Sequence, residues 1–111
     1  MTKKLAIGSA VLALTCFVVT RLHAGLPADV LLVVDQAYAE YLADGRDDGG
    51  IALAGRHENV LVTRTFSKAY GLASLRGGYA IADKMIVAYL NRGRLPFNVS
   101  SVAQEAALAA L

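Results

Sequence analysis

The sequence contains one cysteine, no tryptophan and two prolines among its 111 residues. A single cysteine, Cys16, excludes an intramolecular disulfide and a zinc cluster built on cysteines. His23 and His57 lie at no metal-ligand spacing from each other or from Cys16, so we predict no metal site. Two prolines and ten glycines also exclude collagen-like chains and proline-rich linkers.

An excess of charge of one sign is absent as well. The chain has eleven Lys and Arg residues and nine Asp and Glu residues, so its net charge is +2. The basic residues are scattered, whereas surfaces that bind nucleic acid concentrate them, so we predict no nucleic-acid partner. The hydrophobic fraction of 56% excludes intrinsic disorder, and the length is that of one domain.

Residues 1–21 differ in composition from the rest of the chain. Lys3 and Lys4 precede an uncharged run, residues 5–19, that is shorter than the ~20 residues of a membrane-spanning helix. A positive start followed by an apolar run and a more polar stretch is the layout of a signal peptide. Two interpretations stay open: an exported or membrane-tethered segment, or a buried element of a truncated domain.

Three apolar runs in residues 22–111 are predicted to be strands. Residues 30–34 (VLLVV) form a continuous β-branched run, typical of a strand that is buried on both faces. Residues 59–63 and 77–82 are the second and third runs. A polar, glycine-rich loop is predicted over residues 43–50.

Helical patterns alternate with these strands. Residues 37–42 are compatible with a short helix, and a helix over 84–92 is predicted to begin after Asp83 as N-cap and to end at Gly93 as the C′ residue. Ser101 and Gln104 form a capping box before a last helix that runs to Leu111. This alternation predicts the α/β class with a largely parallel sheet, and three strands are few for such a sheet, as in a piece of a larger domain.

Chemically reactive side chains follow the first two predicted strands. In α/β sheets, ligands bind at the carboxyl ends of the strands. The groups comprise a carboxylate, a phenol, hydroxyls, an amine and a guanidinium, supplied by Asp35, Tyr38, Thr65, Ser67, Lys68 and Arg76. Pyridoxal phosphate needs such a set: an amine to condense with its aldehyde, a carboxylate at its ring nitrogen and donors for its phosphate.

A simpler interpretation of the same side chains stays open. Asp35 follows a strand, where an aspartate often caps the next helix. Tyr38 is compatible with half-buried packing, and Lys68 and Arg76 with solvated loop charges.

Two longer segments resemble a known family. Residues 65–79 (TFSKAYGLASLRGGY) resemble the lysine motif of class I/II pyridoxal-phosphate-dependent aminotransferases, and residues 33–41 (VVDQAYAEY) resemble the preceding Asp–Tyr motif. Within this family the two motifs are most similar to those of the members that act on histidinol phosphate, and residues 95–100 (LPFNVS), which resemble a Pro-Phe-Asn stretch of those members, strengthen this choice. The resemblance runs from residue 22 to residue 111. It implies the large domain of fold-type I enzymes, with a mostly parallel sheet and flanking helices, in a cytoplasmic homodimer.

The resemblance also implies a reaction and a role for each ring-binding residue. The family reaction moves an amino group from an amino donor to a 2-oxo acid, here between histidinol phosphate and 2-oxoglutarate in histidine biosynthesis. Lys68 would be the catalytic residue, which holds the cofactor and carries the proton. Asp35 would pair with the pyridinium, and Tyr38 would contact the 3-oxygen of the ring.

For the cofactor phosphate, the resemblance implies Ser67 and Arg76, with Thr65 as a weaker candidate. Two positions depart from the usual family pattern, because Gln36 replaces a glutamate and Ser74 replaces a glycine. Both replacements are compatible with the family's site.

Several family segments have no counterpart in this sequence. They are the N-terminal arm, the glycine-rich phosphate-binding turn, the Asn-Pro-x-x-Pro-x-Gly segment and the small domain that grips the substrate. Residues 1–21 do not resemble the family. We therefore expect a truncated enzyme that is inactive on its own, with a non-catalytic remnant and a small exported or membrane-tethered protein as alternatives.

Overall fold

The computed structural model describes residues 16–42 and 49–111. Its helices are α1 (helical residues 16–24), α2 (Gly50–Ala54), α3 (Lys84–Gly93) and α4 (Ser101–Ala110). Its strands are β1 (Leu32–Asp35), β2 (Val60–Thr65) and β3 (Gly78–Ala82), and two short 3-10 turns lie at Ala39–Tyr41 and Ala73–Leu75.

The three strands form one mixed sheet in the order β1-β2-β3. β1 and β2 are parallel, with Asp35 opposite Thr63, whereas β2 and β3 are antiparallel, with Thr65 opposite Gly78. The α/β class is therefore confirmed, but only one of these two strand pairs is parallel. The reason is the connection after β2, which holds a single 3-10 turn and no crossover helix of the kind that parallel strands require.

The main core cluster lies on one face of this sheet, and Leu61 of β2, which points to the other face, is buried as well. Val60 and Val62 of β2 are fully buried and pack with Val34 of β1 and with Leu53 and Ala54 of α2. Val19 of α1 packs against the same cluster.

The opposite face of β1 is open among the described residues. The side chain of Val33 is 53% exposed, and Val30 and Leu31 are exposed as well. The prediction that residues 30–34 are buried on both faces is wrong for this structure, because α1 and α2 supply the core cluster on the Val34 side alone.

The N-cap predicted for α3 is confirmed, and its predicted end is wrong. Asp83 accepts a hydrogen bond from the backbone N–H of Met85 at 2.8 Å. Gly93, predicted to lie beyond the helix, is its last residue, and the C-cap is Arg94 with φ −76°. Because Arg94 ends the helix with extended backbone, no left-handed residue is needed there.

The cap of α4 lies one residue earlier than predicted. Ser100, not Ser101, has the extended backbone of an N-cap, and its hydroxyl accepts from the N–H of Ala103 at 3.1 Å. Gln104 donates to the carbonyl of Val99 at 3.2 Å instead of closing a box with Ser101. Ser101 is already inside the helix, so its hydroxyl cannot serve as the N-cap.

The remaining elements follow the predictions in part. β2 extends two residues beyond the predicted strand, residues 37–42 contain only the 3-10 turn, and α2 was not predicted. The predicted loop over 43–50 and the apolar run over 5–19 fall largely outside the described residues. Among the helices that the structure does describe, none is both long and apolar enough to cross a membrane.

Candidate cofactor-binding site

Asp35 stands at the carboxyl end of β1, and two donors orient its carboxylate. The hydroxyl of Thr63, its partner in the parallel register, donates to Oδ1 at 3.2 Å. The backbone N–H of Ala37 donates to the same oxygen at 3.1 Å. Within the described part of the chain Oδ2 has no hydrogen-bond donor, and the residue is exposed. This oxygen is therefore free to bind a ligand.

Tyr38 and Lys68 meet at the same edge of the sheet, although thirty positions separate them in the sequence. The Lys68 ammonium lies 5.4 Å from the centre of the Tyr38 ring, a cation–π distance. Tyr38 is 62% exposed and immediately precedes the 3-10 turn, where the buried Ala39 anchors the chain. The structure thus brings together the amine and the phenol that follow different strands.

A tight loop presents Lys68. Its carbonyl accepts from the N–H of Gly71 at 3.0 Å, and Leu72 N–H donates to the carbonyl of the buried Phe66 at 3.0 Å. Gly71 has φ +67°, a left-handed conformation that side chains rarely adopt. These two hydrogen bonds fix the backbone of the loop, and the exposed side chain of Lys68 projects from it.

The predicted phosphate-binding residues are not assembled into one cluster. The Thr65 hydroxyl accepts from the backbone N–H of Ser67 at 3.1 Å. Arg76 has φ +55° and donates from Nη1 to the carbonyl of Ala73 at 2.9 Å. Across the described ranges, no hydrogen bond joins Arg76 to Ser67 or Thr65.

A half-buried polar bridge links β2 to the turn after β1, and two of its members, Arg64 and Glu40, were not among the residues predicted from the sequence. Arg64 donates from Nε to Oε1 of Gln36 at 2.9 Å, and its Nη1 lies 3.5 Å from Oε1 of Glu40. Gln36 is 3% exposed. Arg64 directly follows the predicted strand 59–63, and a charged residue that continues an apolar strand is rare in a core unless it is paired, so that signal could have revealed the bridge.

The two histidines, which are isolated in the sequence, are neighbours in the structure. The rings of His23 and His57 have centroids 4.1 Å apart, and Nε2 of His23 lies 2.9 Å from Oδ1 of Asn59. Asn59 donates in turn to the carbonyl of Val30 at 2.9 Å. Over residues 16–42 and 49–111, no group of three or more His, Cys, Asp or Glu side chains is arranged to hold a metal ion.

The segment at 95–100 connects α3 to α4 and contains a turn at residues 96–97. Phe97 is 98% exposed and has φ +56°. Arg94 donates to the side-chain oxygens of Asn91 and Asn98, at 2.8 and 3.1 Å. These bonds tie the segment to the end of α3.

Comparison with known proteins identifies the family to which this arrangement belongs. Residues 22–111 match the family model described as aminotransferase class I and II. The chain belongs to this family. The match covers β1, β2, β3 and every candidate site residue, and it begins where the sequence resemblance begins.

The relatives are similar to the chain over most of its length. It is 65% identical over 91 residues to histidinol-phosphate aminotransferase of Erythrobacter litoralis, a match of 82% of this chain and 25% of that protein. It is 50% identical over 91 residues to an aromatic amino acid aminotransferase of Mycolicibacterium smegmatis, again 82% of this chain and 25% of the relative. The chain thus spans about a quarter of the length of the curated relatives it matches.

A solved structure has the same fold in this region. The crystal structure of histidinol-phosphate aminotransferase from Sinorhizobium meliloti, in complex with pyridoxal-5'-phosphate, aligns with a TM-score of 0.73 at 36% identity. The alignment covers 83% of this chain and 25% of the other. Residues 22–111 therefore form part of the α/β fold of a fold-type I aminotransferase.

Proposed function

We propose that residues 22–111 form the lysine-bearing part of a pyridoxal-phosphate site, in an aminotransferase that acts on histidinol phosphate and a 2-oxo acid. The observation that carries the proposal is the contact of Lys68 with Tyr38 at the edge of the sheet where β1 ends with Asp35. Family membership and the cofactor in the similar Sinorhizobium meliloti structure support it.

The chemistry of these donors fits the ring of the cofactor. When bound, pyridoxal phosphate supplies an electron-withdrawing ring that stabilises charge on the substrate carbon. Lys68 would hold the cofactor covalently through its exposed amine and then move a proton. Oδ2 of Asp35 would keep a proton on the ring nitrogen, and the Tyr38 phenol would donate to the 3-oxygen.

The phosphate side of the site needs a rearrangement. We propose that Ser67 and Arg76 bind the phosphate, with the Arg76 guanidinium leaving the carbonyl of Ala73 to do so. Thr65 contributes less to phosphate binding, because its hydroxyl already accepts a hydrogen bond from the backbone N–H of Ser67. An arginine fork is suited to a phosphate, since it donates two parallel hydrogen bonds.

The amino donor is proposed from the degree of similarity. Identity is 65% to a histidinol-phosphate enzyme and 50% to an aromatic amino acid enzyme over matches of 91 residues each. The former specificity is therefore the better supported. The relatives contain much sequence that this chain does not match. We therefore propose that these 111 residues bind the cofactor, and that amino transfer needs the remaining segments found in the relatives.

Cofactor capture is tested by titrating the full chain with pyridoxal phosphate, reducing with borohydride and mapping the modified lysine by mass spectrometry. The control compares Lys68→Ala with Lys84→Ala, because both lysines are exposed. We expect saturable labelling at Lys68, abolished by the first substitution and unchanged by the second. Equal, unsaturable labelling of both lysines would favour the non-catalytic remnant.

The reaction is tested in a chimera. Residues 22–111 replace the matching segment of the Erythrobacter litoralis enzyme, which is 65% identical there. We expect the chimera to transfer the amino group of histidinol phosphate to 2-oxoglutarate, and Lys68→Ala within it to abolish the transfer. A folded chimera that prefers an aromatic amino acid would assign the other specificity, and a folded but inactive one would refute the proposed function.

A further inference from the structure

One arginine, Arg64, links the two segments that carry the candidate site residues, the turn after β1 and strand β2. Arg64 lies on β2, next to Thr63, whose hydroxyl holds the carboxylate of Asp35. Its guanidinium reaches across to the turn after β1, where it contacts Gln36 and Glu40. These two contacts lie on either side of Tyr38 in the sequence.

We propose that Arg64 is a positioning residue. It fixes the turn from Asp35 to Tyr38 relative to β2, the strand that leads to Lys68. The inference rests on the proposed function, because its purpose is to keep the ring-binding carboxylate and phenol at a fixed distance from the amine.

The geometry suits an arginine. Nε donates to Oε1 of Gln36 at 2.9 Å while Nη1 reaches Oε1 of Glu40 at 3.5 Å, so one planar group bridges two positions of the turn. A lysine has a single nitrogen at the end of a flexible stem and cannot reproduce this fork. The side chains of Arg64 and Glu40 are 16% and 17% exposed, so the ion pair is well shielded from water.

The bridge is poorly explained as a device for stability alone. Oε2 of Glu40 is buried and, among the described residues, accepts no hydrogen bond, which costs about 1–3 kcal/mol. Gln36 is almost fully buried, although a smaller apolar residue would need no partner. Buried ion pairs are often replaceable by apolar residues without loss of stability. A requirement for a fixed turn explains why a charged bridge occupies this position.

The test compares Arg64→Lys with Arg94→Lys in the full chain. Arg94 is a matched control, because it also donates from Nε and Nη1 to two side-chain oxygens, those of Asn91 and Asn98. The control pair is exposed and lies at the end of α3.

The first readout is amide hydrogen exchange without cofactor. The N–H groups of Ala37, Ala39, Tyr41 and Leu42 form the hydrogen bonds of the turn. We expect Arg64→Lys to accelerate their exchange about tenfold, as loss of a charged hydrogen bond allows, while amides shared by β2 and β3 exchange unchanged. Uniform acceleration of both sets would show a merely structural role and overturn the proposal, as would no acceleration at all.

The second readout is labelling of Lys68 by pyridoxal phosphate. We expect half-saturation to need about tenfold more cofactor in Arg64→Lys and to be unchanged in Arg94→Lys. Adding Gln36→Glu to Arg64→Lys should restore part of the affinity for pyridoxal phosphate, since the new carboxylate at position 36 can pair with the lysine introduced at position 64. Failure of the wild-type chain to label would reject the proposed function, whereas wild-type labelling with no effect of Arg64→Lys would reject the positioning role.

Discussion

Two valines on neighbouring strands test whether strand β1 is covered on one face only. Val62 is 0% exposed, whereas Val33 is 53% exposed. Truncation of either to alanine removes two methyl groups, about 1.6 kcal/mol of transfer free energy when fully buried. At Val62 an unfilled cavity adds about 1 kcal/mol, for a total near 2.5 kcal/mol. At Val33 half of the transfer term remains, about 0.8 kcal/mol.

The assay is urea unfolding followed by circular dichroism, with the free energy of unfolding extrapolated to water. With a slope of about 1 kcal/mol per molar, the midpoint of Val62→Ala should lie roughly 2 M below that of Val33→Ala. Both residues are strand valines, so the loss of strand preference affects both variants in the same direction. Equal losses would refute the reasoning, because they would mean that the outer face of β1 is buried in the folded chain.

Three further predictions concern glycines and a helix cap, and each is measured by the same unfolding assay. Gly78→Ala should destabilise the chain by about 1–3 kcal/mol, because the new Cβ would lie 2.8 Å from the carbonyl oxygen of Arg64; an unchanged midpoint would contradict the close pairing of β2 and β3. Gly93→Ala should stabilise it by about 0.5–1 kcal/mol, because this helical residue has open space around it, and a loss would contradict its place inside α3. Ser100→Ala should cost about 1 kcal/mol and Ser101→Ala less than about 0.5 kcal/mol; the reverse order would restore the cap predicted from the sequence.

Local hydrogen bonding explains why the residues proposed to bind the phosphate are not assembled into one cluster. Arg76 adopts a left-handed backbone and returns its guanidinium to the carbonyl of Ala73, three residues earlier. Ser67, by contrast, is held through its backbone N–H by Thr65. A phosphate is a stronger acceptor for arginine than a neutral carbonyl, so anion binding favours exchange of the Ala73 contact for the ligand.

Local sequence alone was enough to predict the elements whose causes lie within a few residues. The apolar runs were enough to predict β1, β2 and β3, and Asp83 caps α3 through an N–H two residues away. The family motifs around Asp35 and Lys68 are also contiguous stretches, so they could be identified without coordinates. The meeting of Lys68 with Tyr38 followed from one rule, that parallel strands end at the same edge.

Other features depend on which segments meet in space, and the tertiary structure decided them. The antiparallel pairing of β3 arose because the loop after β2 lacks a crossover helix, and the open face beside Val33 depends on where α1 and α2 pack. The bridge from Arg64 to Gln36 spans 28 residues, and the contact between His23 and His57 spans a comparable distance. Sequence patterns report the preferences of neighbouring residues, whereas such contacts arise only after the sheet has brought distant residues together.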